Sequence, residues 1–248
     1  FILINFNISL KRRIMIKKLP KENMGTSNLG WLESRFHFSF ASYYNPKNMR
    51  FGVLRVLNDD IIHTTSGFDM HPHENMEIIT YVINGELTHK DSLGNIETLT
   101  RGDIQYLSAG DGIYHSEYNK NKSLDLRLLQ IWIIPPKVGL PRLYGSNKFE
   151  EIQRKNKFLN IVSGQNGTAD IKIHQDINIY VSQLDSDKNL DFHIEENRQV
   201  YFVQIEGKSD INGLVLNNGD AVEIINEKQI NIKALENSHF LFIEMAKV

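Results

Sequence analysis

The stretch Glu77-Ile-Ile-Thr-Tyr-Val-Ile-Asn-Gly-Glu-Leu-Thr-His-Lys-Asp-Ser-Leu-Gly-Asn95 decides the fold class. Its first part, Glu77–Ile83, is rich in β-branched and aromatic side chains and reads as a strand. Asn84-Gly85 follows, a pair that tolerates the positive φ of a type I′ turn. With Leu87–His89 as the next apolar run, the segment predicts a hairpin. Ser92-Leu93-Gly94-Asn95 then reads as a further turn.

The same alternation extends in both directions. Phe51–Leu57, Ile104–Leu107 and Leu126–Ile134 read as strands, separated by turn signals at Asn58-Asp59-Asp60, Arg101-Gly102-Asp103 and Ala109-Gly110-Asp111-Gly112. Pro135-Pro136 ends the first block. A less regular stretch to about Asn160 follows, in which Phe149–Lys155 reads as a short helix. A second block then begins, with strands predicted at Ile171–His174, Ile177–Val181, Val200–Ile205, Ile211–Leu216, Ala221–Ile225, Gln229–Ile232 and His239–Met245. The blocks echo each other: Tyr81-Val-Ile-Asn-Gly85 with a later Gly102-Asp103 parallels Val203-Gln-Ile-Glu-Gly207 with a later Gly219-Asp220. Such an echo points to internal duplication. The chain is therefore expected to be all-β, two small antiparallel barrels or jelly rolls in tandem, spanning 15–136 and 137–248.

Residues 1–14 stand apart. An apolar run, Phe1–Leu10, precedes the basic cluster Lys11-Arg12-Arg13, the reverse of a secretory signal. Met15 opens a plausible start, so 1–14 reads as an extension or tail without a functional role, or else as an extra edge strand.

Composition narrows the function classes. A net charge of −2 argues against a basic nucleic-acid footprint. The absence of cysteine means that any transition metal must be held by His, Asp or Glu, and it fits a cytoplasmic location. No apolar run reaches the roughly 20 residues that span a bilayer.

Two short motifs supply such ligands. His71-Pro-His73 places two imidazoles at i and i+2, on one side of an extended chain, and His115-Ser-Glu117 does the same with an imidazole and a carboxylate. Each pair alone reads first as a surface or satisfied core pair, and only second as a ligand pair. Brought together in one barrel, they would offer three nitrogens and one oxygen to an ion. His37, within Phe36-His-Phe38-Ser-Phe40, reads as packed, and His63 and His89 as rim or solvent-facing. His174, His193 and His239 have no such partner, so the second barrel is expected to be metal-free.

Gly67…His71-Pro-His73-(x3)-Glu77…Gly85 resembles the first cupin motif, and Gly102…Ala109-Gly110…His115-(x3)-Asn119 resembles the second, with Ser108 where general cupins carry proline. More narrowly, HPHENMEIITYVINGELTHKDSLGN, GDIQYLSAGDGIYHSEYN and LQIWIIPP look like the pirin family, a bicupin. Gly30-Trp31-Leu32 and Phe38-Ser39-Phe40-Ala41…Tyr44 look like its short bacterial members. The likeness runs from about Met15 to the C-terminus.

That resemblance implies metal ligands at His71, His73, His115 and Glu117. Glu77, the ligand position of general cupins, then takes a supporting role behind them. Strand parity alone does not separate the two, since 71, 73 and 77 share a face if no bulge intervenes. The family also implies one divalent transition metal, Fe(II) first, with Cu, Mn, Ni, Co or Zn as alternatives. The implied reaction is 2,3-cleavage of quercetin-type flavonols by O2 with release of carbon monoxide. The metal would act on the 3-hydroxyl, and Glu117, or else Glu77, would accept its proton if an apolar barrel raises its basicity. Phe51, Phe68, Met70, Met76 and Tyr114 are candidates for a pocket wall, or simply for core. A metal-containing regulatory module acting through a protein partner is the competing reading, and another metal-dependent cupin chemistry is a third.

Overall fold

The computed structural model describes residues 15–247, so the expectation for residues 1–14 lies outside the described residues. The first half contains β1 (Met15–Leu19), β2 (Gly25–Asn28), β3 (Leu32–Phe36), β4 (Leu54–Ile62), β5 (Ser66–His73) and β6 (Glu77–Asn84). It continues with β7 (Leu87–Asp91), β8 (Ile96–Leu99), β9 (Ile104–Ser108), β10 (Ile113–Asn119), β11 (Leu126–Ile133) and β12 (Leu143–Asn147). The second half holds β13 (Leu159–Gly164), β14 (Ile171–Ile173), β15 (Ile177–Leu184), β16 (Asn189–His193) and β17 (Arg198–Glu206). It ends with β18 (Lys208–Ile211), β19 (Leu214–Asn217), β20 (Ala221–Ile225), β21 (Gln229–Ala234) and β22 (Ser238–Ala246).

These strands build two barrels of the same plan, as the duplicated sequence pattern predicts. Each has a seven-stranded and a four-stranded sheet: β12-β9-β6-β11-β4-β3-β2 with β5-β10-β7-β8, then β1-β20-β17-β22-β15-β13-β14 with β16-β21-β18-β19. The barrels exchange edge strands. β1, which begins the chain's described part, pairs with β20 of the second barrel, whereas β12, beyond the boundary expected at residue 136, pairs with β9 of the first.

The long sheets have both faces buried, which explains their near-continuous apolar runs. In β6, Ile79, Tyr81 and Ile83 face the other barrel, where they join Ile104, Tyr106, Leu129 and Ile131 and, from the second half, Ile179, Tyr201, Val203 and Leu241. Burying each such side chain contributes about 1.5–3 kcal/mol. Ile78, Thr80 and Val82 alternate with them and point into the first barrel.

Three local expectations are corrected. Residues 77–84 and 87–91 do not pair as a hairpin: β6 hydrogen-bonds to β9 and β11, and β7 to β8 and β10. The chain turns a corner between sheets there. Gly85 takes φ +82 while Asn84 stays in β6 opposite Arg127, so the double positive φ of a type I′ turn is absent. A Cβ on Gly85 would sit 2.6 Å from the Asp125 carbonyl oxygen, which requires glycine at this corner. Asn58-Asp59-Asp60 is not a turn but the middle of β4, with all three side chains buried. The helix expected over Phe149–Lys155 is only a 3-10 turn, Glu151–Gln153. Among the described residues no helix is long and apolar enough to cross a membrane.

Candidate metal centre

The site forms where β5 lies along β10. β5 is an edge strand, so Pro72, which cannot donate a ladder hydrogen bond, is tolerated in it. His115 faces His71, but Glu117 faces Phe68, so β5 carries one residue more than β10 over this span. Asp69 and Met70 fill the bulge and are exposed. The extra residue resets the alternation, and Phe68, His71 and His73 all turn inward. Gly67 anchors the crossing: a Cβ there would lie 2.3 Å from the Glu117 carbonyl oxygen and 2.6 Å from Tyr118 Cα.

His71, His73 and His115 converge. Their ring centroids are 4.5–4.8 Å apart, and one nitrogen from each lies within 4.8 Å of the others. His71 Nδ1 donates to the Asp69 carbonyl at 2.7 Å, which leaves its Nε2 lone pair free. His115 is buried with neither ring nitrogen partnered in the protein, an arrangement costly for a polar group unless something else meets it. Burial, reinforced by the neighbouring imidazoles, lowers the pKa of His73 to about 4 and that of His115 to about 3. Both rings are therefore neutral near pH 7, the form that ligates metals. The donor set and the orphaned nitrogens of His115 fit a transition metal.

Glu117 is buried beside His115, but its surroundings are not the apolar wall expected. Gln105 Nε2 donates to Oε1 at 2.6 Å and Gln130 Nε2 to Oε2 at 2.8 Å, while Thr80 Oγ1 lies 3.2 Å from Oε1. Gln105, Thr80 and Gln130 stand directly opposite one another on β9, β6 and β11, and Asn58 of β4 continues the row. In the second barrel the corresponding row is Val222, Phe202, Phe242 and Tyr180. That interior is filled by Phe158, Phe192, Phe202, Phe240 and Phe242 among aliphatic side chains.

The polar row and the position of His89 both depart from what the sequence suggests. Rather than lying on the rim, His89 is fully buried, stacked on Tyr144 at 4.7 Å and 5.5 Å from the His115 ring. The available signal was the lone polar residue inside each apolar run: Thr80, Gln105 and Gln130. His37 is packed as expected, buried against the Tyr201 hydroxyl at 3.0 Å. His63 is partly exposed between Glu33 and Asp125.

Glu77 lies on a different sheet from His71 and His73 and faces the second barrel. The Tyr106 hydroxyl donates to its Oε1 at 2.6 Å, and the backbone N–H groups of His174 and Gln175 donate at 2.7 and 3.0 Å. Of the pocket-wall candidates, Phe51 belongs to the core between the barrels, and Met76 packs beside Ile78 and Ile113. Tyr114 alternates outward from His115 and is exposed, as is Met70. Phe68 lies 6.0 Å from His71, and Trp132, not anticipated, lies 4.9 Å from His73.

The family model described as Pirin matches residues 18–133, and that described as Quercetinase C-terminal cupin domain matches residues 160–245. A pirin-like protein of Caulobacter vibrioides is 40% identical over 233 residues, 94% of this chain and 100% of its own length. A quercetin 2,3-dioxygenase of Escherichia coli K12 is 39% identical over 234 residues, again 94% of this chain and 100% of its own. The crystal structure of the bacterial pirin YhhW from Escherichia coli in complex with nickel(II) superposes with a TM-score of 0.88 at 38% identity, covering 94% of this chain and 100% of that one.

Proposed function

The chain belongs to the pirin family, and from that premise we propose that it is a metal-dependent dioxygenase cleaving quercetin-type flavonols at the 2,3-bond with O2 and releasing carbon monoxide. The observation that carries this reading is the convergence of three imidazoles, of which His115 has no protein partner and is the one that also groups with the buried carboxylate of Glu117. His71, His73, His115 and Glu117 would hold the ion. An N3O donor set suits Fe(II), the ion proposed here, and also Ni, Cu, Co, Mn or Zn. The bound metal supplies Lewis acidity that lowers the pKa of the flavonol 3-hydroxyl.

The protein's own residues do the rest. Glu117, held ionised and oriented by Gln105 and Gln130 rather than made more basic by an apolar wall, is the carboxylate placed to accept the 3-hydroxyl proton once that hydroxyl is acidified. Phe68 and Trp132, beside His71 and His73, offer flat apolar surfaces to an aromatic substrate. His71 and His73 are only partly buried, so a ligand reaches the site from the β5 edge. The nickel complex of YhhW and the naming of the Escherichia coli relative support the assignment.

Elemental analysis of the purified protein combined with an oxygen electrode and quercetin tests it. Turnover with loss of the flavonol absorbance is expected. Metal-loaded protein that neither consumes O2 nor bleaches the flavonol would leave a metal-binding module acting through a protein partner. The variant His73→Ala is expected to be folded and to retain little metal on purification; metal held with wild-type affinity would overturn the place of His73 among the ligands.

A further inference from the structure

We propose that the first barrel holds a second, inner cation position built from His89, His115 and Glu117, overlapping the outer one through the last two residues. One donor atom from each of these three lies within 4.8 Å of the others, and all three residues are buried. The inference rests on the reading of the first barrel as a metal centre and adds a residue, His89, to it.

His89 is arranged as a ligand. Its Nε2 lies 3.1 Å from Asp91 Oδ2, and Asp91 is itself fixed by the backbone N–H groups of Leu93 and Asn95 and by Asn95 Nδ2, at 2.8–3.1 Å. Such a carboxylate draws the ring proton to Nε2, so Nδ1 of His89 presents its lone pair. That Nδ1 is buried and has no partner in the protein, and the same is true of both nitrogens of His115. Two imidazoles on neighbouring strands, each with an unpartnered nitrogen and each able to give one nitrogen to the same ion, stand next to a carboxylate and form an N2O donor set for a transition metal. Tyr144, stacked on His89 and hydrogen-bonded to Glu97 at 3.0 Å, fixes the ring plane.

The two positions differ in their framework. The outer one depends on β5, an edge strand with partly exposed imidazoles, whereas the inner one uses β7 and β10, each paired on both sides. Two divalent ions sharing His115 and Glu117 in so small a space would repel strongly. The centre therefore takes one ion at a time, and the inner position holds it when β5 contributes nothing.

Cobalt(II) titration of metal-free protein, read by calorimetry and by the visible d–d bands, tests this. The wild type is expected to bind one Co(II). The double variant His71→Ala/His73→Ala should still bind one, at least about tenfold more weakly, and adding His89→Asn should remove that residual binding. Zinc(II) added to the 15N-labelled double variant should shift the His89 Nδ1 resonance. Thermal unfolding verifies that each variant is folded, with His89→Gln as a second choice where Asn is not tolerated. Cobalt binding by the wild type but not by the double variant would overturn the inner position and leave the outer one standing. Residual binding that survives His89→Asn would overturn the role of His89. A wild type that takes up no cobalt would overturn both.

Discussion

Glu77 and His174, 97 residues apart, are joined across the two barrels: the His174 N–H donates to Glu77 Oε1 at 2.7 Å, and His174 Nδ1 approaches the same oxygen at 3.1 Å. With Tyr106 and Gln175 as further donors, this buried carboxylate fastens the second barrel to the first. Removing it strands several buried donors, at a cost of about 3 kcal/mol. Glu77→Ala is therefore expected to lower the unfolding midpoint in urea while the metal content per folded molecule stays at the wild-type level. Loss of metal with unchanged stability would return Glu77 to the ligand role that the general cupin pattern assigns to it.

The donors on Glu117 lead to a different expectation. Gln105 and Gln130 grip opposite oxygens of its carboxylate from two strands. Groups that orient a ligand without touching the ion typically contribute about 10- to 100-fold to affinity. Gln105→Leu should weaken nickel(II) binding by that factor, measured by calorimetry. The fold should be little disturbed, because the leucine occupies a similar volume. Unchanged affinity would mean that Glu117 needs no such orientation.

How far the sequence carried the fold and the site depends on which residues were doing the pairing. The all-β class and the tandem arrangement were legible because apolar runs and turn residues alternate throughout. The partners of each strand were not. Asn84-Gly85 reads as a hairpin, but whether the chain folds back or crosses to a second sheet is decided by distant segments, here Asp125 and Leu126 pressing on Gly85. Exchange of β1 and β12 between barrels is likewise invisible locally. His71, His73 and His115 were readable from spacing and resemblance. The bulge at Asp69-Met70 that turns Phe68 to the same side as His71 and His73 was not, since alternation assumes an uninterrupted strand. Asn58-Asp59-Asp60 misled for a related reason: three polar residues look like a turn unless a polar barrel interior and Arg127, which donates to Asp59, are known to receive them.

Asp60 carries the clearest pH dependence. It points into the first barrel, and burial pushes its pKa up from 3.8 to about 7, with Asp59 and Glu117 adding to the rise and Ser34 opposing it. The folded state thus holds a proton that the unfolded state releases above pH 3.8. Stability from this residue is present at low pH and is lost as the pH rises through about 7. Asp60→Asn removes the dependence. Urea unfolding of the metal-free protein should show the variant gaining on the wild type by on the order of 2–3 kcal/mol between pH 5 and pH 8, at about 1.4 kcal/mol per unit. A difference that is flat with pH would mean that Asp60 is ionised throughout.

Gly67 gives a test of how β5 is seated. No positive φ requires glycine there; the requirement is contact, with the Glu117 carbonyl oxygen and Tyr118 Cα both inside the radius that a Cβ would occupy. Because the obstructing atoms are backbone, Gly67→Ala must move one strand away from the other. β5 is held on one side only, so it is the strand that gives. Its displacement carries His71 and His73 away from His115, while the core between the barrels is untouched. The expected result is a modest loss of stability, about 1–3 kcal/mol, accompanied by a fall of tenfold or more in nickel(II) affinity, on the order seen when ligand positioning is lost. Calorimetric titration beside urea unfolding separates the two effects. An alanine variant that binds nickel(II) as the wild type does would show that the three imidazoles converge without the close crossing of β5 and β10 at this residue.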